Sequence, residues 1–201
     1  MQNVKEKIAF FCIPAIVSLF LLTGCASTDF TYIWMDETYQ EASLKHLLVI
    51  GIITPQTLRE SLEDQLVQQL QDKGIKAIAS YTVFSDEKKP AKEEIERRIK
   101  ELGTDSVLIT TLIGIDQNEA FIPYCAYGST VGICMYIEQY CPVVAFSGHV
   151  MQFETKIVKS NNYKLIWSTL ANTELIRYPE DMTRSFSNAV VDELYSMKLI
   201  Q

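Results

Sequence analysis

Short apolar runs alternate with segments of helical period in the first half of the chain, and few folds accommodate this pattern. The runs cover residues 46–53 and 105–115, and residues 75–84 between them alternate in the period of a strand; each segment is about the length of one strand. The first intervening segment repeats leucine every four residues, at Leu58, Leu62, Leu66 and Leu70. The second, residues 91–102, has a narrow apolar stripe at Ile95, Ile99 and Leu102, and ends at Gly103. Strands that alternate with helices predict parallel crossovers.

The second half of the chain follows a different pattern. Residues 151–158 and 163–171 alternate in the period of strands on either side of Asn161 and Asn162, which tolerate positive φ, so a hairpin is expected. A last helix opens at Pro179, with a core stripe of Phe186, Val190, Leu194 and Met197. The predicted class is α/β (α+β): strand-helix-strand-helix-strand, then an antiparallel hairpin and a C-terminal helix, packed on one mixed sheet.

Three further local features are predicted. Phe30, Tyr32 and Trp34 occupy alternate positions, which is typical of a strand with one aromatic face. Thr54 and Pro55 precede the leucine repeat, where they predict an N-cap and a first-turn proline. Residues 116–147 have no helical period and are rich in Tyr, Cys, Gly and Pro, which indicates a long loop or an irregular hairpin.

The N-terminus has the organisation of a cleavable signal peptide. Two lysines in residues 1–7 precede an apolar run over residues 8–22 that is interrupted by Pro14 and Ser18. This run is shorter than the roughly 18 to 20 residues that a membrane-spanning helix needs. The run ends in the sequence Leu22-Thr23-Gly24-Cys25, which resembles the lipobox of bacterial lipoproteins. The resemblance implies cleavage between Gly24 and Cys25 and lipidation of Cys25, in preference to an ordinary secretory signal followed by a chance cysteine.

These features predict the organisation and the location of the chain. Residues 1–24 form the signal peptide, 25–29 the lipidated N-terminus and a short tether, and 30–201 a single α/β domain. Ala26 stands where similar lipoproteins of the inner membrane in enteric bacteria carry Asp, so the resemblance implies the periplasmic face of the outer membrane. Without residues 1–24 the chain has 16 basic and 24 acidic side chains, a net charge of −8 that disfavours nucleic acid as a partner.

Several short segments of the sequence resemble a family of uncharacterised bacterial envelope lipoproteins. The element order also resembles the α/β domains of the TolB amino-terminal region and of the curli-secretion lipoprotein. The resemblance implies an envelope lipoprotein with an α/β domain, and it brings no catalytic motif. These segments are Trp34-Met35-Asp36, Leu48-Val49-Ile50-Gly51-Ile52, Arg59, Ser80-Tyr81, Gly103-Thr104-Asp105-Ser106-Val107-Leu108-Ile109, Glu154-Thr155 and Lys164-Leu165-Ile166-Trp167-Ser168.

Three cysteines remain for other chemistry once Cys12 is removed and Cys25 is lipidated. They are Cys125, Cys134 and Cys141. In an oxidising compartment three thiols form at most one internal disulfide, and the sequence leaves its three pairings open. An intermolecular disulfide through the remaining cysteine is a further alternative. A zinc site formed by the three thiols and His149 lacks the close paired spacing of structural zinc motifs, so no metal is predicted.

Nothing in the sequence predicts catalysis. The two histidines, His46 and His149, have no pattern of acids or nucleophiles around them, and neither the His-Glu-x-x-His nor the Gly-x-Ser-x-Gly motif occurs. Gly51 lies between a strand and a helix but without the lysine and spacing of a phosphate-binding loop. We therefore expect a protein that is not an enzyme and needs no cofactor.

The aromatic residues of the middle segment are the remaining functional candidate. Tyr124, Tyr127, Tyr136 and Tyr140 either cap the sheet or form a contact surface over residues 122–142. The hypothesis is a lipid-anchored protein that binds other envelope proteins or itself. The alternative is a small-molecule or glycan-binding module of the cell envelope.

Overall fold

The structure is a computed structural model that describes residues 27–40, 43–84, 92–115, 150–174 and 179–201. Its elements are β1 (Thr28–Met35), β2 (His46–Ile52), α1 (Gln56–Asp72), β3 (Lys76–Ala79), α2 (Lys92–Leu102), β4 (Ser106–Ile115), β5 (Val150–Lys159), β6 (Leu165–Glu174) and α3 (Pro179–Ser196). The strands form one sheet in the order β1-β6-β5-β4-β2-β3. β2 pairs in parallel with β3 and β4, and the other pairs are antiparallel. The predicted α/β class on one mixed sheet is confirmed.

β2 is buried on both faces of the sheet, which explains the unbroken apolar run in its sequence. Leu47 and Val49 belong to a core cluster shared with α1 and α3, whereas Leu48 and Ile50 belong to a second cluster shared with α2. The helices therefore lie in two layers. The buried helical side chains include Leu58, Leu62, Leu66 and Leu70 of α1, Ile95 and Ile99 of α2, and Phe186, Val190 and Leu194 of α3.

The second strand is shorter than its sequence pattern predicts. The alternation continues to Phe84, but β3 ends at Ala79 and a 3-10 turn spans Ser80–Thr82. The Glu63 carboxylate of α1 accepts hydrogen bonds from the Ser80 hydroxyl and from the Tyr81 backbone N–H. The strand prediction is therefore wrong beyond Ala79, because hydrogen bonds to the Glu63 side chain of α1 replace strand pairing.

Two predictions about turns are also wrong. α1 begins at Gln56 and no side chain caps it, since the extended backbone of Pro55 places Thr54 two residues outside the helix. The Thr54–Pro55 peptide bond is cis. In the turn between β5 and β6 the residue with positive φ is Tyr163 rather than either asparagine. The Asn162 side chain instead accepts a hydrogen bond from the backbone N–H two residues later.

β1 does not present a single aromatic face. Its register with β6 shifts after Phe30, so that Phe30 pairs with Ala171 and Tyr32 pairs with Leu170. Phe30 packs against the core cluster of α1 and α3, whereas Tyr32 and Trp34 lie on the opposite face of the sheet. The prediction of one aromatic face is wrong because an extra residue at a β-bulge reverses the alternation of side chains.

One row of strand partners marks the end of the sheet at which β1 begins. Thr28 pairs with Thr173, Thr173 with Met151, and Met151 with Ile115. Neighbouring strands are about 4.8 Å apart, so Thr28 and Ile115 are separated by about 14 Å. The start of β1 and the two residues that flank positions 116–149 therefore share one end of the sheet.

Candidate functional site

The site residues that the sequence predicts lie outside the described part of the chain. These residues are Gly24, Cys25, Tyr124, Cys125, Tyr127, Cys134, Tyr136, Tyr140 and Cys141. Lipidation, disulfide formation and the contact surface over residues 122–142 therefore stay predictions. The described residues instead contain a buried carboxylate, an ion pair at the end of β1 and an exposed strand edge.

The buried carboxylate belongs to Glu63, whose side chain on α1 is fully inaccessible to solvent. One oxygen, Oε1, accepts hydrogen bonds from the Gly51 backbone N–H at 2.8 Å and from Ser80 Oγ at 2.8 Å. The other, Oε2, accepts from the Tyr81 backbone N–H at 3.2 Å. Glu63 thus joins α1 to the carboxyl-terminal ends of the adjacent parallel strands β2 and β3.

Gly51 makes this close approach possible. A Cβ atom at this position would lie 2.8 Å from Arg59 Cγ and 3.3 Å from Glu63 Oε1. Contacts below 3.0 Å require a neighbour to move, so a side chain here would displace the helix residues that face the strand. A glycine inside an otherwise apolar strand, opposite a helix, was the one sequence signal of such a contact. Glu63 itself carries no motif.

Burial controls the protonation of Glu63. Desolvation raises the pKa of this carboxyl above its ordinary value of 4.5, against the opposing effect of its three hydrogen bonds. The charge of Arg59, with Nε 3.9 Å from Glu63 Oε1, also lowers the pKa, but by less. The balance means that the folded protein binds a proton at Glu63 more readily than the unfolded chain does.

Tyr81 makes a second connection between the 3-10 turn and α1. Its hydroxyl donates a hydrogen bond to Asp64 Oδ1 at 2.5 Å, and this bond is the main reason that the pKa of Tyr81 rises to about 12. The hydroxyl therefore stays protonated at neutral pH. Although Ser80 and Glu63 form a hydroxyl–carboxylate pair, both side chains are fully buried, so a substrate has no access to them. The cluster holds α1 against the ends of β2 and β3 by hydrogen bonds.

Asp36 forms a separate group of polar contacts just after the end of β1. Its Oδ1 accepts hydrogen bonds from the Thr38 backbone N–H at 2.9 Å and from Thr38 Oγ1 at 2.7 Å. Lys164 Nζ lies 2.5 Å from Asp36 Oδ2. Interactions with Lys164 and then Thr38 lower the pKa of Asp36 from 3.8 to about 2. Two of the segments that carry the family resemblance, residues 34–36 and 164–168, are therefore in contact at the end of β1 and the start of β6.

The outer edge of β1 exposes three consecutive apolar side chains, which we call the apolar ridge. Tyr32 is 51% exposed, Ile33 38% and Trp34 37%. In the described ranges one other large hydrophobic side chain, Tyr195, is comparably exposed. The ridge contains no charged residue, and among the described strands β1 has a neighbour on one side only, β6. It is the surface in the described ranges that best fits an apolar partner.

Two kinds of site are missing from the described ranges. No helix there combines the length and the apolar character needed to cross a membrane. No group of three or more His, Cys, Asp or Glu side chains is arranged there to hold a metal ion. With the buried Glu63 cluster and the exposed edge of β1, the described residues define an α/β protein built on one mixed sheet.

Comparisons with known proteins give no family for this chain. No protein-family model matches it, and no curated protein matches either. Among solved structures it is similar to a PelC dodecamer from Paraburkholderia phytofirmans, with 12% identity and a TM-score of 0.45 over 85% of this chain and 98% of that one. A PelC variant dodecamer from the same organism gives 11% identity and a TM-score of 0.43 over 89% and 100%. Both TM-scores lie below 0.5, a similarity too low to assign a role to this chain.

Proposed function

We propose that this protein is a lipid-anchored, periplasm-facing envelope protein that binds other envelope proteins or itself and performs no catalysis. The observation that carries the proposal is the sequence Leu22-Thr23-Gly24-Cys25 at the end of a short apolar run that follows two lysines. Its resemblance to a lipobox makes Cys25 the first residue of the mature chain and the carrier of the lipid. The periplasmic face of the outer membrane is the proposed location.

The start of β1 supports a tight connection between the anchor and the domain. Thr28, the first residue of β1, follows Cys25 by three positions. At no more than about 3.6 Å per residue, their Cα atoms are at most about 11 Å apart. A tether of this length holds the domain against the membrane surface and does not let it reach across the periplasm.

The topology supports a contact surface close to the membrane. Ile115 and Val150 flank the segment that contains the predicted surface over residues 122–142, and they lie at the same end of the sheet as Thr28. Both chain ends of this segment are therefore near the anchor. A protein partner that binds the segment would meet this protein close to the membrane.

The proposal that the protein performs no catalysis is supported by the burial of Ser80 and Glu63, the polar pair in the described ranges that most resembles a catalytic pair. Ser80 and Glu63 are a potential nucleophile and base, but both are fully buried and their polar atoms bind each other or the backbone. A hydrolytic pair needs room for a substrate beside the nucleophile. The cluster therefore supports a role in folding.

Lipid labelling in cells tests the anchor. With a palmitate analogue, we expect Cys25→Ser to abolish labelling and to leave the chain at its uncut length. Cys12→Ser is the matched control, since it removes a cysteine of the signal peptide and keeps the lipobox, and it should be labelled and cut like the wild type. A labelled, mature Cys25→Ser protein would refute the anchor.

Photocrosslinking tests the contact surface. We expect a photoreactive residue at Tyr127 or Tyr136 to trap discrete protein bands in cells. The control position is Gln68, an exposed residue of α1, which should give no such bands. If every position over residues 122–142 behaves like Gln68, this segment is not the contact surface.

A further inference from the structure

The apolar ridge has the composition of a membrane–water interface. Trp and Tyr concentrate at such interfaces because their rings are apolar while the indole N–H and the phenol O–H can still reach water. The nearest charged residues along the strand are Asp29 and Asp36, and no lysine or arginine occurs in residues 27–40. The nearby Lys164 is ion-paired with Asp36, so attraction to anionic headgroups contributes little and burial of apolar surface would drive the contact.

The distance to the anchor places the ridge within reach of the bilayer. Thr28 is at most about 11 Å from Cys25. Trp34 follows Thr28 by six residues of strand, or about 20 Å. The ridge is thus held near the lipid anchor at a high effective concentration, so even a weak contact with the bilayer is populated. A second copy of the chain, by contrast, has to be met by diffusion.

We propose that the apolar ridge of Tyr32, Ile33 and Trp34 rests in the headgroup region of the membrane that holds Cys25, which rests on the lipidation proposed above. Tyr32 and Trp34 project from one face of the sheet and Ile33 from the other, so a tilted approach of the β1 edge brings the two rings to the membrane first, with Ile33 beside them at the edge. In this tilted approach the rings of Tyr32 and Trp34 reach deepest, and the outward backbone groups of β1 stay in the hydrated headgroup layer.

This contact fixes the orientation of the domain. A tether at Cys25 alone allows rotation about one point, whereas contacts at Thr28 and Trp34 align β1 along the membrane. β3, at the opposite edge of the described sheet, is then five strand spacings away, or at most about 24 Å above the surface. The proposed contact thus decides which parts of the molecule face the membrane and which face the periplasm.

The two tryptophans of the chain allow a direct test, because Trp34 is exposed and Trp167 is fully buried. The full-length lipidated protein is reconstituted into phosphatidylcholine vesicles with or without brominated acyl chains, and tryptophan fluorescence is recorded. We expect brominated lipid to quench the wild-type emission and acrylamide to have little access to Trp34. Trp34→Phe, which leaves only Trp167, should lose the quenching by brominated lipid.

Three results would overturn the inference. Quenching of Trp34 by acrylamide and not by brominated lipid would place it in water. Protection of Trp34 from both quenchers would indicate a protein contact, such as a second copy. Equal quenching by brominated lipid in the wild type and in Trp34→Phe would show that the signal does not come from the ridge.

Vesicle flotation separates failure of this inference from failure of the anchor. Wild-type protein that floats with the vesicles but shows no quenching by brominated lipid retains the anchor and refutes the ridge contact. Wild-type protein that does not float refutes the anchor, and with it the inference. Cys25→Ser provides the unanchored reference for the flotation.

Discussion

The backbone N–H of Gly51 on β2 donates a hydrogen bond of 2.8 Å to the Glu63 carboxylate on α1. The bond joins a buried strand to a helix that begins only four residues later. Ser80 and Tyr81, which follow β3, bind the same carboxylate. One side chain thus fixes the position of α1 against the ends of two parallel strands.

Gly51→Ala should destabilise the protein. The new Cβ would lie 2.8 Å from Arg59 Cγ, so the arginine side chain and the nearby carboxylate have to shift. We expect the free energy of unfolding to fall by about 1 to 3 kcal/mol, as for other overpacked sites. Urea unfolding measures the change. Gln68→Ala on the exposed side of α1 is the control and should stay within about 0.5 kcal/mol of the wild type. A neutral Gly51→Ala would contradict the tight contact.

Glu63→Gln should change how stability depends on pH. The folded protein raises the pKa of Glu63 above 4.5, so the contribution of this group to stability is complete below pH 4.5 and is lost as the pH rises through the folded pKa. The glutamine does not titrate. The free energy of unfolding of the wild type should therefore fall relative to the variant as the pH increases from 4.5. Urea unfolding at a series of pH values measures this difference.

The matched control is Glu93→Gln, because Glu93 is exposed in the first turn of α2. Urea unfolding of this variant over the same pH series gives the reference for an exposed glutamate. We expect Glu63→Gln to lower the free energy of unfolding by about 1 to 3 kcal/mol. The NH₂ group of the glutamine would face a backbone N–H, and two donors cannot form a hydrogen bond with each other. A constant difference across the pH range would contradict the raised pKa.

Asp36→Asn should have the opposite dependence on pH. Lys164 and Thr38 lower the pKa of Asp36 from 3.8 to about 2, so its contribution is present above pH 3.8 and is lost as the pH falls toward 2. The variant should be less stable than the wild type at pH 7, and the two should converge near pH 2. Unfolding at pH 7, 4 and 2 tests this. Glu37→Gln, at the exposed neighbouring position, is the control, and a difference that persists at pH 2 would argue against the ion pair.

Phe30→Ala and Tyr32→Ala together test the bulge in β1. Phe30 packs against the core, so its truncation should lower the free energy of unfolding by about 1 to 3 kcal/mol. Tyr32 is exposed, and Tyr32→Ala should change stability by no more than about 0.5 kcal/mol. Thermal unfolding of both variants gives the comparison. Similar losses from the two substitutions would mean that both aromatic side chains share one buried face, as the uninterrupted alternation predicts.

Predictions from periodicity succeeded where a whole face of an element is apolar. The leucine repeat from Leu58 to Leu70 is buried, and the alternating strands after position 150 form the expected hairpin. They failed at single positions. Ser80 and Phe30 each continue a regular alternation in the sequence, yet one enters a 3-10 turn and the other precedes a bulge. A one-residue change in the backbone leaves no trace in local hydrophobicity.

The sequence by itself determined the α/β class, the order of elements and the stripes that face the core, because helix and strand periods follow directly from which residues avoid water. It also supplied the lipobox resemblance, which depends on four neighbouring residues. Only the tertiary structure decided that Glu63 is buried, that Thr28 and Ile115 share one end of the sheet, and that Tyr32 and Trp34 lie on the edge strand of the described sheet. These relationships join residues far apart in the chain, and packing alone brings such residues together.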